Sequence, residues 1–87
     1  MTKDEVNKIL LSIITKNFRV EASQFLWDQP IEVMNKDFNS LGYLVFLEQL
    51  VSNQFKVNIP LLENISAEIH TVNDISDLIM KEIKIQC

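Results

Sequence analysis

Ser40 is the residue of this sequence best placed to do chemistry. It lies in the stretch DFNSLGYLVFLEQL, residues 37–50, at the mouth of a run that is almost wholly apolar. A serine there can act as an N-cap, its oxygen accepting a backbone N–H of the first helical turn. It can equally be a point of covalent attachment, a nucleophilic oxygen at the end of a rigid element. The other reactive residues are less well served. His70 stands before the last helical segment with no Ser or Cys partner near it, and reads as a surface or loop residue rather than a general base. Cys87 is the final residue, where a nucleophile has nothing to orient it. The acidic residues are scattered, and no pair of them suggests glycosidase-like work. One cysteine and one histidine are too few for a zinc site, and a lone cysteine forms no intrachain disulfide.

Composition narrows the classes further. The chain of 87 residues has room for one domain with a single modest core. Nearly half of its residues are apolar and only three are Gly or Pro, which disfavours disorder and suits long helices. A net charge of −4, a pI near 4.8 and basic residues spread along the chain exclude a nucleic-acid binder that works through a basic patch. The apolar stretch Ile9 to Ile14 is short and broken by Ser12, below a signal-peptide core and far below a membrane span. These features lead us to expect a soluble, cytoplasmic monomer.

The elements that position Ser40 follow from apolar spacing. Thr2 followed by Glu5 is a capping-box pattern, and Val6, Ile9, Leu10, Ile13, Ile14 and Phe18 recur at steps of three and four. A first helix is predicted over residues 3–18. Residues 19–39 read as a long loop anchored by Phe25, Leu26 and Trp27, with room for a helical turn over 21–27 and with Pro30 opposing a continuous helix. Met34 adds adaptable packing bulk there. A second helix is predicted from Asn39 or Ser40 to Phe55, and a short one within 61–69. A last helix is capped by Thr71, with Asp74 at its third position and Val72, Ile75, Leu78, Ile79 and Ile83 facing inward. The expected fold is all-α: one domain over 1–87, a small four-helix bundle of three longer helices and one short one, with a long loop between helices 1 and 2.

At about 100° per residue, Tyr43, Leu44, Phe46, Leu47, Leu50, Val51 and Phe55 gather on the inner side of the second helix. The outer arc holds Leu41, Val45, Glu48, Gln49 and Ser52, with Gly42 and Asn53 beside it. Leu41 and Val45 are aliphatic on a face that is otherwise polar. Single exposed aliphatics are ordinary, but two of them one turn apart beside Ser40 suit a small docking patch.

The ordered set Asn39-Ser40-Leu41, the apolar helix to Phe55, Ile59-Pro60 and Thr71-Val72 resembles the acyl and peptidyl carrier proteins. That resemblance covers nearly the whole chain. It implies that Ser40 receives 4'-phosphopantetheine from coenzyme A through a separate magnesium-dependent phosphopantetheinyl transferase. The arm would then hold acyl, aminoacyl or peptidyl groups as thioesters, without the protein being an enzyme itself. Partner docking is expected at Asn39, Leu41, Val45, Glu48 and Gln49, with the loading and processing enzymes of the pathway as partners.

The sequence also departs from the family pattern. Asn39 stands where the family carries aspartate, the glycine usual shortly before the motif is missing, and Phe55 lies one residue further on. Glu48 is the only acid between Ser40 and Phe55, with Val45 where an acid is expected. A nearly neutral docking face implies dedicated partners read by shape and apolar contact. The resemblance therefore leans toward a specialised secondary-metabolite pathway: polyketide, nonribosomal peptide or modified fatty acid. The alternative is a degenerate carrier fold that scaffolds an enzyme without any prosthetic group.

Overall fold

A computed structural model of the chain describes residues 2–64 and 71–86. Among them are five α-helices and no strands, the architecture of a small all-α bundle. Helix α1 (Lys3–Asn17) opens on the expected capping box. Thr2 Oγ1 accepts the Glu5 N–H at 3.3 Å, and the Glu5 carboxylate accepts the Thr2 N–H at 3.1 Å. Asp4 and Glu5 in its first turn and Lys16 in its last complement the helix dipole. Its three-and-four spacing buries Val6, Leu10, Ile13 and Ile14. The Phe18 N–H closes the helix on the Ile14 carbonyl at 3.0 Å, and Arg19, at φ 56°, turns the chain away.

The segment expected as a loop is more ordered than its composition suggests. A 3₁₀ turn over Ala22–Gln24 falls within the predicted window. Two further elements were not anticipated: α2 (Ile31–Met34) and a 3₁₀ turn over Lys36–Asn39. No continuous helix crosses Pro30, as expected; it stands instead at the N-cap of α2, with φ −53°. Ile31 is buried, and the Asn35 amide donates to the Phe18 carbonyl at 2.8 Å, fixing the end of α2 to the end of α1. Phe25 and Trp27 stack with centroids 4.8 Å apart and pack half-buried against the core, as loop anchors should. The Trp27 carbonyl accepts the Asn73 N–H at 3.1 Å, the Asp28 and Asn73 side chains meet, and Pro30 bridges Thr71. The long connection is thereby tied to the start of the last helix.

Helix α3 (Leu41–Phe55) ends at Lys56 in the left-handed conformation, φ 58°. Helix α4 (Leu61–Asn64) is brief, and the rest of the short helix expected within 61–69 lies outside the described residues, as do His70 and Cys87. Helix α5 (Val72–Gln86) starts on a second reciprocal cap: Thr71 Oγ1 accepts the Asp74 N–H and Asp74 Oδ2 accepts the Thr71 N–H, each at 3.1 Å. Helix α1 packs chiefly on α5, while α3 lies against α1 and carries α4. Val72, Ile75, Leu78 and Ile79 are buried as expected, with Ile83 partly buried beside them. The Cα radius of gyration of 11.8 Å agrees with about 12 Å for a compact chain of this length.

Candidate functional site around Ser40

Ser40 occupies the N-cap position of α3, where its extended backbone (φ −84°, ψ 132°) follows directly from the preceding 3₁₀ turn. Its carbonyl takes the first helical bond, from the Leu44 N–H at 3.2 Å. Its side chain makes no capping hydrogen bond, and the residue is exposed. Ser40 is thus the N-cap by position, as one of the two readings expected, while its hydroxyl is not spent on the helix. The first N–H groups of a helix have no acceptor inside it and give that end a partial positive charge. No acidic residue in the first turn of α3 opposes an anion there.

Ser40, Gly42, Tyr43 and Phe46 line an open concavity of about 300 Å³. A methyl group at position 42 would stand 3.7 Å from Ser40 Oγ, an ordinary van der Waals contact. Tyr43 and Phe46 were expected in the core and are instead 39% and 41% exposed. Each is held by one face: their ring centroids lie 6.0 and 5.5 Å from the buried ring of Phe18, which also stacks on buried Phe38 at 5.0 Å. The inner side of α3 is narrower than the wheel implied. Leu47, Val51 and Phe55 are buried, while Leu44 and Leu50 are only partly so.

The residues expected to dock partners separate into two groups. Leu41 is 68% exposed, Gln49 is exposed and Val45 is half-buried, which leaves an apolar patch one turn from Ser40. Asn39 closes the 3₁₀ turn that leads into α3. Glu48 is half-buried and turned inward in its bonding: its Oε1 accepts the Leu62 N–H at 3.1 Å. Its neighbour one turn on, Ser52, accepts the Ile59 N–H at 3.1 Å. The one acid of α3 therefore holds α4 in place. Met34, read as packing, is half-buried against the core, and its Sδ accepts the Leu26 N–H at 3.2 Å.

No family model, curated protein or solved structure matches this chain. No helix among the described residues is long and apolar enough to cross a membrane. No group of three acidic, histidine or cysteine side chains among them could hold a metal ion.

Proposed function

We propose that the protein is a carrier whose Ser40 is the attachment point for 4'-phosphopantetheine. The observation that carries the reading is the state of Ser40: exposed, at the start of a fifteen-residue helix, with its hydroxyl unused in capping. The residues around it fit the group. Helix N–H groups and the absence of a first-turn acid suit a phosphodiester. In loading, Ser40 Oγ bonds to the β-phosphorus of coenzyme A as the pyrophosphate P–O bond breaks. Adenosine bisphosphate leaves, and the serine proton passes to a base of the transferase. The bound arm supplies a terminal thiol that holds acyl, aminoacyl or peptidyl groups as thioesters. The chain's own task is to present the serine and a recognisable surface, with Leu41 adjacent to it and Val45 and Gln49 further along the same helix. A largely apolar patch with its one carboxylate engaged elsewhere suits dedicated partners of a specialised cytoplasmic pathway.

Incubation with coenzyme A and promiscuous phosphopantetheinyl transferases, followed by intact mass, tests the reading. A mass gain equal to the arm, lost in Ser40→Ala, is expected. No gain with several transferases would count against it, and a gain persisting in Ser40→Ala would move the site. Asn39, standing where the family carries aspartate, favours a second reading, a carrier-fold scaffold with no arm. That reading predicts partner binding that survives Ser40→Ala without any loading.

A further inference from the structure

The rings of Tyr43 and Phe46 form a feature that attachment at Ser40 does not by itself require. Each leaves about two-fifths of its surface in solvent, yet neither is loose, because both rest on buried Phe18. The concavity they form with Ser40 and Gly42 is thus preformed, and its described lining residues carry no charge.

We propose that this concavity is a cradle for the root of the arm, with the geminal methyl groups of the pantoyl segment lying against the Tyr43 and Phe46 rings. The inference rests on the carrier reading. Covalent connectivity selects the occupant. Beyond the phosphate, the first apolar part of the arm is the quaternary carbon bearing two methyl groups, and tethering at Ser40 holds it beside the rings at high effective concentration. The concavity is shallow and open, which suits a short branched aliphatic segment lying against the rings and not a whole arm with cargo. The amide-rich length and the thiol remain outside, so the root is fixed while the reactive end swings. Rings already held by Phe18 lose little freedom on contact, which favours binding by a preorganised surface.

The test uses the full chain loaded from coenzyme A labelled with carbon-13 in the geminal methyl groups, with loading verified by intact mass. Nuclear Overhauser cross-peaks from those methyls to the Tyr43 and Phe46 ring protons are expected, with upfield methyl shifts from the ring currents. In loaded Phe46→Ala the methyl resonances should move back toward those of free coenzyme A. Should that variant not fold or not load, the wild-type cross-peaks decide the matter alone. Loaded protein without cross-peaks, or methyl shifts that Phe46→Ala leaves unchanged, overturns the cradle and leaves the carrier reading standing. Failure of the wild type to gain mass overturns both.

Discussion

Glu48 on α3 accepts the backbone N–H of Leu62 in α4 at 3.1 Å, so the one carboxylate of α3 is a structural tether. With Ser52 holding Ile59 one turn further on, and Ile59 and Leu61 fully buried, α4 is attached to α3 by polar and apolar contacts together. Removing the acceptor in Glu48→Ala should lower stability by about 1–2 kcal/mol, the cost of losing a charge-assisted bond at a part-buried site. Glu48→Gln keeps an oxygen at the same reach and should cost less. Urea denaturation of the two variants checks the order, and equal losses would refute the tether.

The buried side chain of Ser76 donates to Asn7 Oδ1 at 2.5 Å, joining α5 to α1 beside the exposed Lys3–Asp77 ion pair that also links the two helices. The two substitutions at this pair should not be equivalent. Asn7→Ala leaves a hydroxyl in the core without its partner, at about 1–3 kcal/mol, whereas Ser76→Ala deletes the buried polar group itself and should cost less than about 1 kcal/mol. A double-mutant cycle measured by chemical denaturation reads the difference. A coupling energy near zero would show that the bond adds nothing to the packing of α1 on α5.

These two contacts also mark where the sequence stops being legible. The caps at Thr2–Glu5 and Thr71–Asp74 join residues three apart, so residue types alone reveal them. The stripes of α1 and α5 are equally local. Glu48 meets a residue fourteen positions away and Ser76 one sixty-nine away, and no short-range pattern encodes either. Helix α2 escaped notice because it is four residues long and depends on burial of Ile31 and on the Asn35–Phe18 bond. A helical wheel places Tyr43 and Phe46 on the inner side of α3 but does not tell how far the rest of the chain covers them, and each keeps about two-fifths of its surface exposed. Ser40 was identified from its position, while the freedom of its hydroxyl depends on how the 36–39 turn delivers it.

Glu5 offers a prediction in pH. The hydrogen bond from the Thr2 backbone, then that from the Thr2 side chain, holds its carboxyl below the ordinary glutamate range. A carboxylate whose folded pKa is depressed contributes stability that is present above the unfolded value and lost as pH falls through the folded one. Acidification should therefore weaken the start of α1 in the wild type. Glu5→Gln should remove that part of the pH dependence while leaving the rest. The titration of Glu5 by NMR and denaturation at neutral and acid pH check it, and an unshifted Glu5 titration would dispose of the effect.

Ser40→Ala separates capping from attachment. A serine that caps its helix typically costs about 1 kcal/mol when replaced by alanine. Because the Ser40 side chain makes no capping bond and is exposed, the variant should lose well under that amount. The same change should abolish any mass gain from coenzyme A. A thermal or urea unfolding curve close to that of the wild type, together with complete loss of loading, is the pattern expected of a serine presented for modification. A loss of about 1 kcal/mol or more would mean that the hydroxyl supports the helix in solution, and the argument from its freedom would fail.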